Sequence, residues 1–151
     1  MRKSGGGRLL DSNHINRKQI DQVKNTLGSK ATADRVLSSM TLGFWTHMTD
    51  RTHERDLWIP CIHHAWPKGA NRAELHREIQ TINTLRNRVA HHEHLFNPTD
   101  TSLLPTKVDE IILRLFRQLC PEAAEWLYPM DQPTPLAQFI ERNPLSGRIR
   151  L

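Results

Sequence analysis

The sequence predicts an all-α bundle, on three observations. Apolar residues recur at three- and four-residue spacing in successive segments, no alternating strand pattern or hairpin dipeptide separates them, and Asn, Thr, Gly and Pro stand where helices should begin and end. With 151 residues the chain is long enough for one compact core, so a single helical domain is the expected organisation.

The elements follow in order. Gly5-Gly6-Gly7 marks residues 1–8 as a flexible leader. Ser12 is the expected N-cap of a first helix carrying Ile15, Ile20, Val23 and Leu27 and stopped by Gly28. Thr32 opens a stronger helix on which Val36, Leu37, Met40, Phe44, Trp45 and Met48 make one buried face. After a polar stretch from Asp50 to Asp56, a helical stripe of Leu57, Trp58, Cys61, Ile62, Ala65 and Trp66 ends at Pro67, with Pro60 in its first turn. Asn71 and Glu74 form a capping-box-like start for a helix with Leu75, Ile79, Ile82, Leu85 and Val89 on one face, closed by Asn97-Pro98. Val108, Ile111, Ile112, Leu115, Phe116 and Leu119 define the most regular amphipathic helix, and Pro121 starts a short one through Trp126 and Leu127. Residues 9–128 thus form the helical domain. In the extension over 129–151, Pro129 and Pro133 predict a linker, Thr134-Pro135 caps a brief helix with Leu136, Phe139 and Ile140, and Asn143–Leu151 reads as a basic tail.

Composition narrows the function classes. No run approaches the roughly 18 apolar residues of a membrane span, and no apolar stretch follows the basic N-terminus, so a cytoplasmic protein without a membrane partner is expected. Cys61 and Cys120 lie in apolar helical patterns and read as reduced core residues. The net charge of +5 is unevenly spread: residues 1–30 carry seven Lys/Arg against two Asp, residues 68–92 five against two Glu, and residues 93–141 three against eight acids. Two basic regions beside an acidic one suggest a localised phosphate footprint, although on charge alone solvated helix faces are the favoured reading. Histidines are abundant, yet there is no His-Glu-x-x-His and no Cys-x-x-Cys, so no metal site and no cofactor are expected. Phe44, Trp45, Trp58 and Trp66 lie on apolar faces and read as core rather than as base-stacking platforms.

The segment Leu85-Arg86-Asn87-Arg88-Val89-Ala90-His91-His92-Glu93-His94 carries the chemistry. His91 can exchange a proton near neutral pH, and Arg86 is a permanent cation with two donors for a phosphate. Metal-independent RNA cleavage needs those two abilities. On a straight helix Asn87 and His91 share a face, whereas Arg86 and His91 stand about 140° apart, so a distorted turn or a cleft must bring them together. From spacing alone a solvated helix end is the competing reading.

The run Leu42-Gly43-Phe44-Trp45, then Leu57-Trp58-Ile59-Pro60, then Leu85 to Glu93 resembles the Abi-like proteins of bacteria. That family is associated with abortive infection against phage and belongs to the HEPN superfamily. The resemblance covers roughly Arg8 to Leu127. It implies a HEPN-like helical bundle in which Arg86 and His91 match the Arg-x-x-x-x-His ribonuclease motif and Asn87 matches the polar residue after its arginine. It also implies a homodimer whose two motifs face one cleft, and a partner RNA or cognate antitoxin, as for HEPN toxins paired with nucleotidyltransferase antitoxins. Such relatives carry a further helical segment before the position of Arg8. The chain is therefore expected to be a shortened member, completed by a partner or inactive. On this reading His91, Arg86 and Asn87 are catalytic, with Asn87 orienting His91 and His92 in reserve for His91. Arg88, His92, Arg72 and Arg77 contact RNA. The alternative is a non-catalytic RNA-binding or toxin–antitoxin interaction module of the same fold.

Overall fold

The computed structural model describes residues 2–3, 9–10, 13–95 and 101–143. Seven α-helices carry the fold among them: α1 His14–Leu27, α2 Ala33–Ser38, α3 Leu42–His47, α4 Arg72–Ala90, α5 Pro105–Leu119, α6 Pro121–Leu127 and α7 Pro135–Arg142. The all-α expectation holds. One small departure lies in the leader, where β1 (Arg2–Lys3) pairs antiparallel with β2 (Leu9–Leu10), Arg2 opposite Leu10. Ser12, Asn97-Pro98 and most of the C-terminal tail, with Gly5 to Gly7, lie outside the described residues.

The long α4 packs on α3 along one side and on α5 along the other, and α6 folds back onto α5. Trp58, Leu75 and Leu115 form the centre of the core, with Ile62, Trp66, Ile79, Ile82 and Ile111 packed around them. Local signals explain the clean boundaries. Asn71 Oδ1 accepts from the backbone N–H groups of Ala73 and Glu74 to start α4, and Thr134 Oγ1 accepts from Ala137 N to start α7. Thr134 also donates to Asp109 Oδ2 at 2.7 Å, tying α7 to α5. Pro121 sits in the first turn of α6, where its missing N–H is harmless.

Three expectations are corrected. The continuous helix from Thr32 to Met48 is two short helices. Ser38 and Ser39 hydroxyls both bond the Arg35 carbonyl, and Thr41 Oγ1 caps α3 by accepting from Phe44 N. These side chains compete with the helix ladder and end it although the apolar spacing continues. The stripe from Leu57 to Trp66 is not a regular α-helix: a 3₁₀ turn (Arg51–His53) runs into a π turn (Glu54–Trp58), and a second 3₁₀ turn covers Ile62–Ala65. Pro60 has no N–H to continue the ladder, and Ile59 N instead reaches back to the Glu54 carbonyl at 2.9 Å. Third, Cys61 and Cys120 are free and exposed, because one follows Pro60 and the other is the junction between α5 and α6. Trp45 is likewise 43% exposed, although its ring stands edge-on to buried Phe44.

Candidate functional site

The end of α4 carries the segment singled out by sequence. His91 is the C-cap, His92 follows with φ of +55°, and Glu93 N bonds back to the Arg88 carbonyl at 2.9 Å while His92 N bonds the Val89 carbonyl at 3.2 Å. This pair of bonds is the Schellman closure, with a histidine in the left-handed position usually held by glycine. The closure turns His91, His92 and His94 outward, and all three are exposed, as is Arg86.

Asn87 braces Arg86 by its side chain, and its bond to His91 is the ordinary backbone ladder of the helix. Its Oδ1 accepts from Arg86 Nη1 at 3.0 Å, and its carbonyl accepts from His91 N at 2.9 Å. Its side chain is therefore on Arg86, not on the His91 ring as the sequence suggested. No hydrogen bond or ion pair joins Arg86 to His91 among the described residues. Within one chain the two groups are both exposed at the end of α4 without converging.

The basic residues divide. Arg77 is exposed and Arg88 half-buried. Arg72 is committed inward: Nη1 donates to the Thr49 carbonyl at 2.9 Å and Nε lies 3.6 Å from Glu54 Oε2. It is a strut between α4 and the chain after α3, and its guanidinium is not displayed for phosphate.

A second constellation escaped the sequence reading. Between α3 and α4 lies a polar pocket of about 520 Å³ lined by Gly43, Thr46, His47, Asp50, His76, Gln80, Asn83 and Thr84. A larger concavity along α1, about 980 Å³, is lined by that helix alone and has no second wall among the described residues. The pocket is built on Asp50. Asp50 Oδ1 accepts from Thr52 N, Thr52 Oγ1, His53 N and His53 Nδ1, and so caps the 3₁₀ turn at Arg51–His53. His53 is only 2% exposed, and its Nε2 lies 2.7 Å from Asn13 Oδ1, which fastens the start of α1 to the same loop. Asn16 Nδ2 stands 3.3 Å from that Nε2 while Asn16 Oδ1 is buried without a partner; turning the amide over would place the oxygen on the ring instead.

Asp50 Oδ2 is left toward His47, 3.8 Å from its Nδ1. Burial works to raise the Asp50 carboxyl, but the hydrogen bonds from Thr52 and His53 and the charge of His53 outweigh it and hold the group below its ordinary 3.8. His76 is pushed below its ordinary 6.5, chiefly by burial, with Asp50 opposing and Arg72 assisting. The Thr49 hydroxyl donates to the Thr46 carbonyl at 2.8 Å, so at 3.0 Å it accepts from His76 Nδ1. That fixes the tautomer and leaves His76 Nε2 as an acceptor. Asp50 and His76, both held below their ordinary pKa, thus line one pocket.

The spacing His47-x-x-Asp50-x-x-His53 was the available signal, hidden in a stretch that reads as a polar connection. Among the described residues no three His, Cys, Asp or Glu side chains gather as a metal ion would require, and no helix is long and apolar enough to cross a membrane.

These groups set an acid response. Because the folded pKa of His76 is depressed, the unfolded chain takes up that proton first as pH falls. Stability is full above about 6.5 and declines through the window below it. The Asp50 contribution is present above 3.8 and is lost as pH falls through its lower folded value. The urea midpoint should therefore fall between pH 7 and pH 5.5, and His76→Gln should flatten that part of the profile. A midpoint that rises over the same interval would contradict the assignment.

No protein-family model, curated protein or solved structure matches this chain.

Proposed function

We propose that the chain is a HEPN-type endoribonuclease of phage defence or a toxin–antitoxin system, acting as a homodimer on RNA without a metal. The observation that carries this reading is the display of Arg86, braced by the Asn87 side chain, and of His91 at one exposed helix end. The resemblance of the segment to the Arg-x-x-x-x-His motif supports it from the sequence. Since Arg86 and His91 do not converge in one chain, a second copy supplies the rest of the cleft. Val89, 54% exposed on the same last turns of α4, is an apolar contact for that copy.

In the proposed reaction His91 takes the proton of a 2′-hydroxyl, O2′ bonds phosphorus, and the P–O5′ bond breaks. The departing 5′-oxygen takes a proton from the second copy's histidine or from water. Arg86 holds the non-bridging oxygens, and Arg77, Arg88 and His92 contact flanking phosphates. Residues 85–94 contain one carboxylate, Glu93, whereas Mg²⁺-assisted cleavage draws on several acidic oxygens.

The test is cleavage of total RNA with and without EDTA, with end-group analysis and light scattering on the same preparation. Expected are an EDTA-resistant activity, 2′,3′-cyclic phosphate ends and a dimer at micromolar concentration. Loss with EDTA and recovery with Mg²⁺ would overturn the mechanism, and a monomer would overturn the shared cleft. The second reading, a non-catalytic RNA-binding or toxin–antitoxin interaction module, is favoured by Trp126, 81% exposed on α6, and follows if RNA is bound and never cut.

A further inference from the structure

The pocket between α3 and α4 has no role in the proposed reaction, yet its lining is that of a binding site. Hydroxyls (Thr46, Thr84), amides (Gln80, Asn83), imidazoles (His47, His76) and one carboxylate converge on it, with no Lys or Arg among them. A phosphate finds no permanent cation there. A flat neutral group with donors and acceptors on its rim finds matching partners, and the volume of about 520 Å³ falls in the range of small-molecule sites.

Position narrows the class. On α4 the pocket residues His76, Gln80 and Asn83 stand within an arc of roughly 60°, and Asn87 continues that arc. Asn83 is about one turn, ~6 Å, from Asn87, on the order of one nucleotide step from the group holding Arg86. We infer that this pocket receives one unstacked base of the RNA strand whose phosphate is held at Arg86 and His91, and that it selects bases bearing an exocyclic amine. The inference rests on the RNA-directed reading of that segment. Asp50 Oδ2, the oxygen not used by Thr52 and His53, accepts from the amine. The Gln80 and Asn83 amides read the adjoining edge, as such side chains do for adenine and carboxylates do for the cytosine amine. His76 Nε2 adds an acceptor, and uracil, which has no exocyclic amine, leaves Asp50 unmatched. Gly43 lies on the α3 wall, where a Cβ would stand in ordinary contact with Thr41 Oγ1 at 3.6 Å and Asn83 Nδ2 at 3.9 Å, beside the amide that does the reading.

The experiment is fluorescence polarisation of the full chain with labelled 2′-O-methyl hexamers of A, C and U, which cannot be cut through the 2′-oxygen. Expected is binding of the A and C hexamers roughly tenfold tighter than U, from about one good base contact. Asn83→Leu and Gln80→Leu should each cut that preference to about twofold, by weakening A and C binding more than U binding. Both lie on α4 away from the Trp58 core, and circular dichroism verifies that they fold; Asp50 is left intact because it caps the loop. Equal affinity for all three hexamers, or a preference untouched by both substitutions, overturns the base pocket while the RNA reading stands. Failure to bind any hexamer overturns both.

Discussion

His91→Ala is expected to slow RNA cleavage by about 10²- to 10⁴-fold, the usual contribution of a positioned proton-transfer group. Arg86→Ala should cost about 10²- to 10³-fold, as for removal of a donor to developing charge. Both side chains are exposed, and neither holds the fold: the α4 closure is made by backbone groups of Val89, Arg88, His92 and Glu93. Loss of activity with an unchanged unfolding midpoint therefore separates a chemical role from a structural one. The cap also distinguishes the two histidines. His92 adopts φ of +55°, so His92→Gly relaxes a left-handed position and should stabilise the chain by roughly 0.5–1 kcal/mol. With His91 as the acting group, the His92→Gly chain is more stable and still cuts. Cleavage kept in His91→Ala and lost in His92→Gly hands the role to His92, and cleavage kept in both alanine variants at positions 86 and 91 removes the mechanism.

Legibility in the sequence tracked the range of the forces involved. The starts of α4, α6 and α7 were readable because Asn71, Pro121 and Thr134-Pro135 act on their own first turns. The break between α2 and α3 was not, since Val36, Met40 and Phe44 keep helical spacing across it while Ser38, Ser39 and Thr41 settle the backbone hydrogen bonds. Apolar periodicity also overstated burial at Val89, Ile112 and Leu119, which face outward from α4 and α5. At the site, the exposed motif on α4 was legible because its residues are neighbours in sequence. The polar pocket was not, because Asp50 and His76 meet only when α3 folds against α4. Arg72 shows the same limit: its charge was visible, but its commitment to Thr49 and Glu54 depends on tertiary contact.

The largest stability effect is expected at His53, a polar residue in a position that a hydrophobic pattern cannot mark. Its ring joins two parts of the chain 40 residues apart, through Asn13 Oδ1 at 2.7 Å and Asp50 Oδ1 at 2.8 Å. Alanine there removes both bonds and leaves a void beside Asn16 where a fully buried ring stood, while Asp50 Oδ1 keeps its bonds from Thr52 and from the backbone N–H at 53. The two lost hydrogen bonds, one of them to a carboxylate, and the cavity left by the buried ring together cost about 3 kcal/mol. For a chain of this size that lowers Tm by roughly 6–12 °C. Asp50, which the His53 ring helps to hold, lines the polar pocket, so the same substitution should loosen any ligand the pocket holds. His64→Ala, at an exposed position in the same histidine-rich region, should stay within about 0.5 kcal/mol of the parent chain. Thermal unfolding of the two variants side by side decides the matter: equal midpoints would mean that the Asn13–His53–Asp50 chain does not fasten α1 to the bundle.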